Sequence, residues 1–311
     1  MTFEDKNERR KVLMSETHTK KVAVVFGGAG FLGSHVADEL SRSGFRVRLF
    51  DQKESRWLRE DQEMVIGDIL NDHDVDASLD GAEVVYNFAA VADLNEAFSK
   101  PLQTMSVNVL GNSNLLEASV RRGVRRFVYA STVYVNSREG GFYRISKQAS
   151  EQMVEEYQNL FGLDYTILRY GSIYGPRSDN HNGLYRIVRS AIDTGIVRYE
   201  GHVDSLREYI HVADVARASV AALDDEFKNE HLVLTGHERM RVHDMLMMLA
   251  EIMGLNGKVE FIDAPYKGHY VRTPYAYQPN LGRKYIPALH VDLGQGLVQL
   301  VEELHNEIKI N

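Results

Sequence analysis

The chain has 311 residues, 44% of them hydrophobic and 26% charged, with a formal net charge of −8. That length supports one large or two smaller globular units with a substantial core, and the acidic balance argues against general nucleic-acid affinity without excluding local anion sites. With Cys 0, disulfides, thiolate metal sites and cysteine nucleophiles are excluded.

No apolar run nears the roughly 20 residues that a membrane-spanning helix needs. The opening "MTFEDKNERRKVLMSETHTKK" has no apolar signal core. These features predict a cytoplasmic protein with no membrane partner, and residues 1–20 as a flexible polar extension.

From Lys21 onward apolar strands alternate with helical stretches. "KVAVVFGG" reads as a buried strand, "FLGSHVADELSRSG" as a helix ending at Gly44, then "FRVRLFD", "MVIGDI" and "AEVVYNFAA" as strands. "NVLGNSNLLEASVRRG" reads as a helix with arginines at its C-terminal end, followed by the strand "RRFVYAST", the helix "RISKQASEQMVEEYQNLFG" and the strand "DYTILRY". Near-continuous apolar strands separated by helices predict an α/β fold, a Rossmann-type doubly wound parallel sheet over residues 21–175. After Gly175-Pro176 the rhythm loosens. "REYIHVADVARASVAAL" reads as a return to the main sheet followed by a helix, so 206–234 is assigned to the first domain. Residues 176–205 and 235–311 are expected mainly to form a smaller C-terminal substrate-binding domain built from interrupted segments.

"VVFGGAGFLGSH" places Gly28, Gly30 and Gly33 as G-x-G-x-x-G between the first strand and helix. Glycines there permit a tight turn, close approach of a pyrophosphate and tight packing of helix on strand. The helix N-terminus, beginning around Phe31 and Leu32, offers free N–H groups to the phosphates. Asp51 ends the next strand, where an acid hydrogen-bonds the adenosine ribose and repels a 2′-phosphate, favouring NAD over NADP. Asp68, with Ile69 beside it, reads either as an adenine contact or as a simple strand-end acid. Ala89 and Ala90 read either as room for the cofactor or as plain packing.

Tyr143 and Lys147 are four residues apart, on one face of a helix. A free tyrosine ionises near pH 10, too high for a base at neutral pH. A neighbouring ammonium and the positive ring of NAD+ would lower that value. Ser131 and Thr132 supply hydroxyls at the end of the preceding strand. Together these groups suit removal of an alcohol proton as hydride departs.

The stretches "GGAGFLG", "GDI", "FAA", "NVLGNSNLLEA", "RRFVYAST", "YRISK", "LRYGSIYGPR" and "REYIHVADVARA" resemble the extended short-chain dehydrogenases/reductases, in particular the NAD-dependent epimerase/dehydratase group acting on nucleotide sugars. The resemblance runs from about Lys21 to Leu223 and more weakly beyond. It implies that Thr132 binds the sugar C4 hydroxyl, Tyr143 is the base and Lys147 its partner. It implies that Gly27, Gly30 and Gly33 form the dinucleotide loop and Asp51 the ribose acid. It further implies a supporting Asn108, an Arg207 that binds the substrate diphosphate, fold-supporting His211 and Asp214, and no metal. A nucleotide-diphosphate sugar is the implied substrate, and a homodimer through the 108–122 helix and the Tyr143 helix the implied assembly, with Leu115 and Met153 as compatible apolar positions.

The chain departs from that family's pattern. Phe26 replaces a usual threonine, Asn136 and Ser137 stand where Tyr-Gly is usual, and Ser172 stands where a substrate-contacting asparagine is common. The connection 133–142 between Thr132 and Tyr143 is much shorter than the family norm, which implies a more open pocket or a larger substrate. Val133 and Tyr134 follow Thr132, where 4,6-dehydratases and decarboxylases of the family carry acids. The expected activity is therefore NAD-dependent oxidoreduction at C4 through a 4-keto sugar, as a 4-epimerase or a 4-dehydrogenase. A 4,6-dehydratase and a non-enzymatic NAD(H)-responsive protein are the alternatives. Arg186, Arg189 and Arg198 read by default as a solvated helix face, the other reading being that one or two meet a diphosphate, and Tyr270, Tyr275 and Tyr277 read as packing or as base or sugar contacts.

Overall fold

The structure is a computed structural model that describes residues 20–262, 283–285 and 288–310. The extension 1–19 and Tyr270, Tyr275 and Tyr277 lie outside the described residues.

Six apolar segments form consecutive parallel strands: β1 (Val22–Phe26), β2 (Arg46–Asp51), β3 (Gln62–Ile66), β4 (Ala82–Asn87), β5 (Arg126–Thr132) and β6 (Tyr165–Tyr170). All seven residues of β5 and all six of β6 are buried, because both faces of the sheet are covered. The helix α1 (Phe31–Arg42) turns Val36, Ala37 and Leu40 onto one face. Burying each larger aliphatic side chain contributes about 1.5–3 kcal/mol. Helices α2 (Asp72–Ser78), α3 (Leu94–Ser99), α4 (Pro101–Met105), α5 (Gly111–Arg121) and α6 (Gly141–Phe161) complete the layers up to β6, with a π-helical turn at Ser106–Leu110.

The chain then leaves the sheet. β7 (Ser172–Tyr174) pairs in parallel with a later strand, β10 (Tyr209–His211), in a separate two-stranded sheet. Between them lie α7 (Gly183–Thr194), β8 (Val197–Glu200) and β9 (Leu206–Arg207). After β10 comes α8 (Val212–Ala221), packed beside α1. The return to the main sheet is thus made by β11 (Glu230–Leu234) against β6, and not by the "EYIHV" run expected to make it. Both runs are short and apolar, and local pattern does not choose the partner of a short strand.

A second apolar cluster gathers Tyr174, Leu184, Val188 and Val197 with Leu246 and Leu249 of α9 (Val242–Ile252) and Leu297 and Leu300 of α10 (Leu293–Ile310). β12 (Met240–Arg241) pairs with β9, and β13 (Val259–Ile262) with β8. The two-residue β14 (Arg283–Lys284) joins β11, giving the sheet order β14-β11-β6-β5-β4-β1-β2-β3.

Candidate active site

The C-terminal ends of the parallel strands carry the first part of the site. After β1 the chain turns at Gly27, whose φ of +75° favours glycine. A Cβ on Gly27 would lie 2.7 Å from the Ala89 amide nitrogen, and one on Gly33 would lie 2.2 Å from the Gly27 carbonyl oxygen. The turn therefore packs as a bare backbone cradle, and Gly30 sits at the N-terminus of α1. Such a cradle fits a dinucleotide pyrophosphate. Asp51, at the end of β2, accepts the Ala29 N–H at 3.0 Å and so braces the turn. Leu32 packs on the core, while Phe31 stands edge-on to His35.

Asp68 accepts the Leu70 N–H at 2.9 Å, and its own N–H donates to Asp74 at 3.2 Å. Ile69 is buried against Gly111, where a Cβ would come within 2.9 Å of it. The Ala89 N–H donates to Asn87 at 3.1 Å, and Ala89 and Ala90 are half-buried beside the glycine turn.

Thr132 ends β5, and Tyr143 lies in the first turn of α6. Both line a cleft of about 570 Å³ between the sheet and the second lobe. The Tyr143 hydroxyl hydrogen-bonds Thr132; burial pushes the phenol up to about 12 and this bond opposes the rise. One turn on, Lys147 is buried, donates to the Ala130 carbonyl at 2.6 Å and lies 5.9 Å from the Tyr143 ring centre. Burial pulls its ammonium down to about 7, while the Glu151 carboxylate pulls the other way.

Ser131 is not part of this cluster. Its hydroxyl donates to Glu151, which also forms a buried two-bond pair with Arg169 at 3.0 and 2.7 Å. Adjacent strand residues face opposite sides of a sheet, so Ser131 and Thr132 cannot both meet a ligand in the cleft. Asn108 bonds Val91 O, Val91 N and Ser146 Oγ, which makes it a tie between α6 and the loop after β4.

Ser172 and the buried Arg207 line the opposite wall. Glu208, next to Arg207, accepts from Thr235, Arg239 and Lys284 and so anchors that strand. Arg186 and Arg198 also line the cleft. Arg186 pairs with Asp93 at 3.3 Å and Arg198 with Glu260 at 2.9 Å, whereas Arg189 pairs with Asp193 on the helix surface. Asp214 accepts from Arg217 and from the Val291 N–H, and His211 Nδ1 accepts from Ala213 N, so both act within the fold.

Sequence reasoning did not single out Asp93, Asn182 or Tyr134 as site residues, yet all three line the cleft. Asp93 and Asn182 were findable as helix starts: each side chain caps the helix that follows. Tyr134 carried no such local signal.

Fold and site together define a dinucleotide-binding α/β enzyme class with a Thr–Tyr–Lys centre. The chain belongs to the NAD dependent epimerase/dehydratase family, whose model matches residues 23–235. It is similar to a Thermotoga maritima UDP-glucose 4-epimerase solved with UDP-glucose, with TM-score 0.81, 27% identity, and 92% of this chain and 99% of that one covered. A Thermus thermophilus UDP-glucose 4-epimerase in complex with NAD superposes with TM-score 0.77 and 27% identity, covering 91% of this chain and 99% of that one. A Bacillus cytotoxicus UDP-N-acetyl-alpha-D-glucosaminuronate decarboxylase is 25% identical over 292 residues, 85% of this chain and 89% of that protein. No helix among the described residues is long and apolar enough to cross a membrane.

Proposed function

We propose that this protein is an NAD-dependent oxidoreductase acting at C4 of a nucleotide-diphosphate sugar, through a 4-keto sugar, as a 4-epimerase or a 4-dehydrogenase. The observation that carries this reading is the meeting of Thr132 and Tyr143 in one cleft, with the Tyr143 hydroxyl bonded to Thr132 and the buried Lys147 ammonium beside the Tyr143 ring. In this reading Gly27, Gly30, Phe31, Leu32, Gly33, Asp51, Asp68, Ile69, Ala89 and Ala90 hold NAD. When bound, NAD supplies the acceptor for the C4 hydride. Thr132 orients the C4 hydroxyl. Tyr143 takes its proton, and Lys147 stabilises the phenolate that does so.

Ser172 and Arg207 face the sugar diphosphate from the second lobe, formed mainly by 176–205 and 235–311. Ser131 supports from beneath through Glu151. The homodimer follows the family resemblance, but Leu115 is fully buried in the chain's own core and is not available for it. Leu110 and Leu160, on the same two stretches of chain, are exposed and offer apolar contacts.

Substitution of the base tests the reading. Tyr143→Phe keeps the ring and should bind NAD as the wild type does, while turnover falls by about 10²–10⁴-fold. Full activity in that variant, measured by product formation from a nucleotide sugar, would remove Tyr143 from the mechanism.

A further inference from the structure

Of residues 133–142, Tyr134 alone lines the cleft. The rest of that connection folds back onto α6. The Val135 carbonyl accepts from Gln148 at 2.7 Å, and the Ser137 carbonyl accepts from Arg144 at 3.1 Å. The Ser137 N–H donates to the Tyr134 carbonyl at 2.8 Å, closing a tight turn. Nothing in this segment reaches over the cleft as a flap.

Tyr134 is clamped on several sides. Its N–H donates to Thr132 Oγ1 at 3.3 Å. Its ring packs with Val133 and Val233. It stands at 75° to the Tyr143 ring, with centroids 6.5 Å apart. Behind it Gly140 takes a φ of +95°, and a Cβ there would lie 2.9 Å from Tyr134 Cδ1. The glycine is required twice, by its backbone angle and by the ring pressed against it.

We propose that Tyr134 is a positioning residue that replaces a covering loop. Its ring holds the Tyr143 ring against Thr132 and closes the cleft beside the reacting carbon, so that it sets which sugar substituents fit there. The inference rests on Tyr143 being the base. The physical reason is that Tyr143 sits in the first turn of its helix, where one open side would let the ring swing. Misplacement of a reacting group by an ångström costs on the order of 10²-fold in rate.

The test compares Tyr134→Phe and Tyr134→Ala in the full-length chain with NAD bound. Two readouts are taken: crystal structures, and steady-state turnover of nucleotide sugars with detection of reduced cofactor left on the enzyme. Tyr134→Phe should keep Tyr143 in place and kcat within about threefold. Tyr134→Ala should bind NAD normally, displace Tyr143 from Thr132 and lower kcat by about tenfold to a hundredfold. It should also strand reduced cofactor, because the keto sugar escapes through the opened side. The proposal is overturned if Tyr143 stays in place in Tyr134→Ala with kcat unchanged, or if Tyr134→Phe loses as much as Tyr134→Ala, which would assign the role to the hydroxyl. If the wild type converts no nucleotide sugar, the functional reading fails, and the crystallographic position of Tyr143 in Tyr134→Ala still decides the positioning role.

Discussion

At Tyr143 and Lys147 burial acts in opposite directions. It pushes the phenol up to about 12 and pulls the ammonium down to about 7, so neither group carries its charge cheaply in the NAD-free chain. The folded lysine releases its proton near pH 7, whereas the unfolded lysine holds it to about pH 10.4. Between those values the unfolded chain binds the extra proton, so stability rises with pH and falls as pH drops toward 7. One such group contributes a slope of up to about 1.4 kcal/mol per pH unit. Urea unfolding of the NAD-free protein from pH 7 upward should show that slope in the wild type and a flatter one in Lys147→Met. Equal slopes would show that Lys147 keeps its proton in the folded chain. Much of this centre was legible: Thr132, Tyr143 and Lys147 follow the glycine turn and Asp51 in order along the sequence. Ser131 was not, because a hydroxyl pair on a strand says that one residue faces the cleft without saying which. The packing of α6 on β5 answers it, because Ser131 meets Glu151 there while Thr132 meets Tyr143.

Among the elements, the β1–α1 turn is tightly constrained. Its backbone approaches itself so closely that a Cβ on Gly33 would sit 2.2 Å from the Gly27 carbonyl. Gly33→Ala must push α1 away from the turn, so both NAD affinity and stability should fall; isothermal titration with NAD and thermal unfolding measure the two. An alanine variant with unaltered affinity would mean that the helix N-terminus does not hold the phosphates. In α6, one turn beyond Lys147, Glu151 forms a buried pair with Arg169 of β6. Glu151→Gln leaves the Arg169 guanidinium buried without its counter-charge, which costs about 3–5 kcal/mol. Denaturant unfolding checks this, and a loss below about 1 kcal/mol would mean that solvent reaches the arginine. The strands and helices up to β6 could be read from apolar runs because each is buried on a sheet with both faces covered. The partner of Tyr209–His211 could not, since a three-residue strand gains its place from Ser172–Tyr174 and not from its own pattern.

The whole molecule brings the two lobes together around the cleft. His35 of α1 bonds the Pro176 carbonyl at 3.0 Å, Arg177 pairs with Asp38 at 2.8 Å, and the Arg177 N–H donates to Glu303 of α10 at 3.0 Å. These contacts set the far wall, which carries Ser172 and Arg207, opposite Thr132 and Tyr143. The wall was the least legible part of the site, because its residues come from strands and helices far apart in sequence and their approach depends on lobe packing. In the proposed function this wall, together with Tyr134 across the cleft, would select the sugar. The most direct measurement is therefore a panel of UDP-, GDP-, dTDP- and CDP-sugars incubated with the wild type, NAD and the Tyr143→Phe control, with products resolved by mass and NMR. The wild type should form an isomer of unchanged mass, or a product lighter by two hydrogens, that is lost in the control. A product lighter by one water, or equal conversion by Tyr143→Phe, would contradict it.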